Sequence, residues 1–228
     1  MSLTLVIGNR NYSSWSLRPW IALKQGGIEF NDVVVPLDQA DSKARIAVYS
    51  PAGRVPVLIH DELHIWDSLA IVEYLAETFP DKNLWPRNVR ARARARSVTA
   101  EMHSGFGALR SAMPMNCRAQ LPGLGVTAES TGDIARIVEI WSSCRAEFGA
   151  RGDFLFGEFS IADAFFAPVT SRFVTYAVPL PPAAASYVDT VQKLPAMQEW
   201  IAAARLEPQR LAHDEPYAQV KSVGATPV

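Results

Sequence analysis

Apolar residues fall along this chain in two rhythms, and the change comes near residue 80. Leu3-Thr4-Leu5-Val6-Ile7 is a short, partly β-branched apolar run, which predicts a buried strand. Over residues 15–25, Leu17, Trp20, Ile21 and Leu23 recur at helical spacing, and Gly26-Gly27 ends the segment. Residues 30–35 read as a second strand closed by Pro36. Residues 38–48 are polar and weakly helical. Residues 55–59 and 63–66 read as two short strands around a turn at His60-Asp61-Glu62. Residues 67–78, "DSLAIVEYLAET", predict a helix with an aspartate cap, followed by Leu69, Ile71, Val72 and Leu75.

That order is β-α-β-α-β-β-α. A helix between the first two strands implies a right-handed parallel crossover, and the tight hairpin implies an antiparallel pair. The expectation is an α/β domain over residues 1–79 with a small mixed sheet. Residues 80–86, with Pro80 and Pro86, read as a linker. Beyond it no strand pattern is found. Residues 87–113, 127–150, 160–174 and 194–204 have helical character, while 121–125 and 178–182 are loops. An all-α domain is expected over 87–213, then a polar, unpatterned tail over 214–228, draped on the surface or poorly ordered.

Composition narrows the function classes. The chain has 228 residues, 49% of them hydrophobic, enough for one large core or two small ones. A formal net charge of -1 argues against a nucleic-acid partner held by charge. The two cysteines, Cys117 and Cys144, are far apart, with neither a disulfide framework nor zinc spacing, which fits a reducing cytoplasm. The first apolar run has no basic stretch before it, and no apolar run nears the roughly 20 residues of a membrane span. A soluble cytoplasmic protein with no membrane partner is expected. His60 and His64 face each other across the hairpin without a third ligand, so no metal site is expected.

Three segments bear candidate chemistry. "SPAGRVPVL", residues 50–58, opens a strand with Val55-Pro56. A cis bond there would turn the Val55 backbone outward toward an extended, peptide-like ligand; spacing alone fits an ordinary trans proline better. "WDSLAIVEYLAE", residues 66–77, puts Asp67 and Ser68 at a helix start, where N–H groups and the helix dipole favour a carboxylate. Together they would hold an amino acid's carboxylate and amine, or simply cap the helix. "NYSSWSLRPW", residues 11–20, sets Tyr12, Ser13 and Ser14 before a first turn that carries Arg18. A hydroxyl at that place stabilises a ligand's thiolate and lowers its pKa from about 8.5 toward neutrality. The nucleophile would then belong to the ligand, since no Ser-His-Asp arrangement can be read.

In this order the three segments, followed by helices, resemble the glutathione S-transferase superfamily with its thioredoxin-like N-terminal domain. "GRVPVL" and "DSLAIVEYLAE" look like its glutathione-holding segment. "FSIADAFFAPV", residues 159–169, resembles its structural cap, an S-x-x-D capping box at Ser160 and Asp163. Thioredoxin's CxxC is replaced by Ser13-Ser14-Trp15-Ser16, which disfavours a disulfide oxidoreductase. The resemblance implies that Ser14, or else Ser13 or Tyr12, contacts the thiolate, as in the serine classes (theta, zeta) or the tyrosine classes. It implies that Val55, beside Pro56, pairs with the cysteinyl backbone, and that Asp67 and Ser68 hold the γ-glutamyl end. Glutathione would be the co-substrate and a small hydrophobic electrophile its partner in conjugation. A zeta-type glutathione-dependent isomerase and a non-catalytic glutathione-binding protein are the alternatives. A homodimer is implied, with some of Arg87, Arg90, Arg92, Arg94 and Arg96 pairing with Glu73 or Glu77 across it. Residues 101–116 would face the second substrate or pack as plain core; His103, Phe106, Met113, Met115 and Asn116 lie there.

Overall fold

A computed structural model describes residues 2–219 of the chain. The N-terminal unit contains β1 (Leu3–Ile7), α1 (Ser14–Gln25), β2 (Asn31–Val34), α2 (Ser42–Ala47), β3 (Val57–His60), β4 (Leu63–Trp66) and α3 (Ser68–Thr78). The sheet order is β2-β1-β3-β4. β1 runs parallel to β2 and antiparallel to β3, and β3 and β4 form the hairpin. Alternation along β1 sorts its side chains to two faces. Leu3, Leu5 and Ile7 join the main core with α1 and α3. Val6 turns to the other face and meets Val35, Val57 and Ile46 of α2.

Among the described residues six α-helices follow: α4 (Val89–Ser104), α5 (Gly107–Ala112), α6 (Ala128–Phe148), α7 (Ile161–Thr175), α8 (Pro182–Gln192) and α9 (Pro195–Leu206). Almost every residue of α7 is buried, as expected of a helix with few polar positions set at a domain's centre. α7 packs against α4, α8 and also α1, so one apolar core runs across both units. The connecting segment is pinned rather than free. Leu84 and Trp85 are buried, the Leu84 carbonyl accepts from Ile161 N at 2.9 Å, and Trp85 Nε1 donates to Glu73 at 3.1 Å.

Two readings of the helical part need correction. The single helix expected over 87–113 is broken into α4 and α5. Gly105 is extended and Phe106 is left-handed at φ 61°, a turn that no continuous helix accommodates. Helix α8 was not foreseen, because the prolines at 179, 181 and 182 read as a loop; Pro182 instead occupies the first helical turn, where its missing N–H costs nothing. The arginine run is a solvated helix start, but Arg96 meets Glu73 at 3.2 Å within the same chain.

The capping box at α7 is present. Asp163 is fully buried and accepts from Ser160 N and Ser160 Oγ at 2.9 Å each, Tyr187 OH at 3.0 Å and Leu155 N at 3.1 Å. Burial pushes its pKa up to about 6, against the pull of these donors. Asp163→Ala would leave several buried donors unpaired and should lower the unfolding free energy in urea by about 3 kcal/mol, against about 1 kcal/mol for Ser160→Ala. Equal, small losses for both would show that Asp163 does not anchor α7.

Candidate active site

The site begins where β1 hands over to α1. The carbonyl of Asn9 accepts from Tyr12 N at 3.2 Å and Ser13 N at 2.8 Å, which turns the chain into the helix. Ser13 is the N-cap; its Oγ accepts from Ser16 N at 3.4 Å and lies 2.7 Å from Ser16 Oγ. Ser16 Oγ in turn accepts from Gly8 N at 3.1 Å. The Ser13 hydroxyl is thus engaged in holding the turn. Ser14 opens the first turn, and its Oγ accepts from Arg172 Nη2 at 3.4 Å. Tyr12 is also engaged: its hydroxyl donates to Glu215 Oε1 at 2.5 Å and accepts from Arg118 Nη2 at 2.6 Å. Burial first, and then Glu215, raise the Tyr12 pKa above its ordinary value.

A cavity of about 410 Å³ lies against this junction. Tyr12, Ser13, Ser14 and Trp15 form one wall, and Val55 another. The Val55-Pro56 bond is cis, not the trans bond that spacing suggested. No backbone hydrogen bond among the described residues engages Val55. Pro56, Asp67 and Ser68 are not part of the lining. Asp67 caps α3: its Oδ1 accepts from Leu69 N at 2.8 Å and Ala70 N at 3.3 Å. Its Oδ2 lies 3.3 Å from His103 Nε2. Ser68 is 1% exposed and its Oγ has no partner among the described residues.

The helical unit supplies a further wall, partly from the 101–116 segment expected to face a second substrate or to pack as core; Arg172 was not anticipated. Arg110 of α5, Pro114, Met115 and Arg172 of α7 line it. From residues 101–116, Met115 therefore faces the cavity, Met113 is wholly buried, and Asn116 accepts from Asn11 Nδ2 at 2.9 Å. Behind Trp15, the fully buried Arg18 is stacked with its guanidinium 4.3 Å from the Trp15 ring centre and 4.6 Å from that of Phe165. None of its three side-chain nitrogens has a hydrogen-bond partner among the described residues. Burial, then Arg110 and Arg172, hold its pKa well below the ordinary value, with Asp67 pulling the other way. Arg172 donates to the carbonyls of Met113 at 2.9 Å and Pro168 at 3.2 Å, and burial lowers it to about 10. A lone arginine inside so apolar a helix was the one visible signal for Arg172. Arg110 carried none.

Residues after α9 pack against the β1–α1 turn and the cavity. Glu207 accepts from Arg10 N at 2.7 Å and Asn11 N at 3.1 Å, and His213 bridges Asp38 at 2.8 Å and Asp214 at 3.1 Å. His213 and Asp214 line the cavity. The beginning of the expected tail is therefore tied to the site, and residues 220–228 lie outside the described residues. His60 and His64 are engaged by Tyr74 OH at 2.7 Å and the Tyr49 carbonyl at 2.8 Å. Among the described residues, no group of three or more His, Cys, Asp and Glu is placed to hold a metal, and no helix is long and apolar enough to cross a membrane.

Comparison with known proteins agrees with this layout. The family described as "Glutathione S-transferase, N-terminal domain" matches residues 12–78, and "Glutathione S-transferase, C-terminal domain" matches 119–203. Glutathione S-transferase Z2 of Arabidopsis thaliana is 30% identical over 198 residues, which cover 82% of this chain and 85% of the plant protein. A probable maleylacetoacetate isomerase of Caenorhabditis elegans is 37% identical over 97 residues, 42% of this chain and less than half (44%) of the nematode protein. Among solved structures, a glutathione transferase homolog from Burkholderia with bound glutathione superposes with a TM-score of 0.68 at 25% identity, covering 90% of this chain and 99% of that one.

The clasp at the β1–α1 turn is testable. Glu207→Ala removes a charged acceptor from two backbone N–H groups, so hydrogen exchange at Arg10 and Asn11 should quicken about tenfold or more. Unchanged exchange there would show that the clasp does not order the β1–α1 turn.

Proposed function

This chain belongs to the glutathione S-transferase superfamily, and from that premise we propose that it is a glutathione transferase whose Ser14 hydroxyl stabilises the glutathione thiolate. One observation carries the choice of residue. Of the three cavity-lining hydroxyls, Ser14 has one long contact, accepted from Arg172 at 3.4 Å, and no acceptor for its proton among the described residues, whereas the Ser13 hydroxyl lies 2.7 Å from Ser16 Oγ and that of Tyr12 donates to Glu215 and accepts from Arg118. The helix dipole and the nearby Arg172 guanidinium favour an anion at the same point. The free Val55 backbone suits pairing with the cysteinyl unit of the tripeptide, next to Pro56. The orphaned, buried Ser68 Oγ and the Asp67 carboxylate suit the γ-glutamyl end.

The thiolate would attack a small electrophile with an apolar body, held between Trp15 and Met115 on facing cavity walls. Rate would come from a lowered thiol pKa and from positioning. A second reading is a glutathione-dependent isomerase, in which the thiol adds to a double bond and leaves again. The similarity to proteins named maleylacetoacetate isomerase favours it, and recovery of unconsumed glutathione after turnover identifies it. We also propose a cytoplasmic homodimer. The exposed Leu63 and Trp66 of the edge strand β4 and Val89 at the start of α4 support the dimer, and free Cys117 and Cys144 fit a reducing compartment.

Titration of bound glutathione by thiolate absorbance tests the assignment. In the wild type the thiol pKa should fall from about 8.5 toward neutrality. Ser14→Ala should raise it and cut kcat/KM about tenfold to thousandfold, with smaller effects from Ser13→Ala and Tyr12→Phe. Glutathione that binds with an ordinary thiol pKa would point to a non-catalytic binding protein. A larger effect from Ser13→Ala or Tyr12→Phe than from Ser14→Ala would move the role to that residue.

A further inference from the structure

Two guanidinium groups, Arg110 of α5 and Arg172 of α7, line the cavity that Ser14 borders, and a third, Arg18 of α1, is buried behind Trp15. Arg18 and Arg172 are buried, and Arg110 stacks with its guanidinium 4.8 Å from the Trp15 ring centre. Their hydrogen-bond partners among the described residues are neutral oxygens, or nothing. Arg110 donates to Gly105 O at 3.0 Å and to Met102 O, while its Nη1 has no partner among the described residues. Arg172 holds two carbonyls and reaches Ser14 with a third nitrogen. Among the described residues, none of the three forms a salt bridge, although other arginines of the chain do. Carbonyl oxygens satisfy N–H geometry but do not neutralise charge, and like charges packed together out of water are costly without an anion. Asp214 is the carboxylate on this cavity's wall, and it pairs with His213. Asp67, Asp133 and Asp214 act through space on Arg18, Arg110 and Arg172 respectively, but none is in contact with its arginine, so Arg110 and Arg172 reach the cavity without an ion-pair partner among the described residues.

We propose that the second substrate carries a carboxylate, which Arg110 and Arg172 receive on the helical-domain wall while its apolar body lies against Trp15 and Met115. This rests on the transferase reading and adds the chemical class of the electrophile. Val55 and Ser68, the residues assigned to the tripeptide, belong to the N-terminal unit, whereas Arg110 and Arg172 reach the cavity from α5 and α7.

Two glutathione conjugates, prepared chemically, test the idea without requiring turnover: S-(4-carboxy-2-nitrophenyl)glutathione and its neutral 4-carbamoyl counterpart. They share size, ring and sulfur and differ by one charge. Calorimetry on the full chain should show the carboxylate binding about tenfold tighter at low salt. Arg172→Met and Arg110→Met should each bring that ratio toward one, and Arg172→Lys should keep part of it. Arg172 also secures Met113 and Pro168, so its methionine variant risks folding badly; the wild-type ratio, Arg110→Met and Arg172→Lys still decide the matter. A wild-type ratio at or below one, with glutathione itself bound, overturns this proposal alone. So does a ratio that neither Arg110→Met nor Arg172→Lys changes. Failure of glutathione and both conjugates to bind overturns the transferase reading and this one together.

Discussion

Helix α1 is buried on two sides, and the cavity depends on that constraint. Leu17, Ile21 and Leu23 are fully buried in the core, where α1 packs on α3 within its own unit and on α7 and α9 of the other. A helix clamped between two units cannot shift its N-terminus without disturbing both. The first turn is fixed further by the Ser13, Ser16 and Gly8 bonds below it and by the stacking of Arg18 between Trp15 and Phe165. A partly positive helix end, one available hydroxyl and an adjacent cavity are thereby held in register.

Buried charge is handled in two opposite ways in this molecule. Asp163 sits among four donors and serves the fold: its lone pairs are provided for within the chain. Arg18 has no such partner among the described residues, and Arg110 and Arg172 have only neutral oxygens. An arrangement that satisfies every lone pair of Asp163 but leaves nitrogens of Arg18 and Arg110 without partners among the described residues separates a folding device from a receiving site. The C-terminal segment fits the same division. Glu207 and Glu215 use their carboxylates on the β1–α1 turn and on Tyr12, away from the cationic wall.

Much of this was legible in the amino-acid order, because local rules govern it. A short, partly β-branched apolar run marked β1, the Asp67 cap marked α3, and Ser160 with Asp163 marked α7; in each case the signal lies within a few neighbouring residues. The α4–α5 break was less visible, since Phe106 adopts a left-handed conformation that its type does not advertise. The cationic wall was not legible at all as a wall. Arg18, Arg110 and Arg172 are brought together by packing across more than 150 residues of chain, and nothing local says that their partners among the described residues will be neutral oxygens or none. The choice among Tyr12, Ser13 and Ser14 had the same limit, because Glu215 and Arg118, which engage Tyr12, come from distant segments.

A structure of the chain with glutathione bound tests the central claim most directly. The account predicts the cysteinyl sulfur in hydrogen-bond contact with Ser14 Oγ at the start of α1, with the tripeptide backbone paired to Val55. A sulfur turned to Tyr12 or Ser13, or a tripeptide lying outside this cavity, would contradict it.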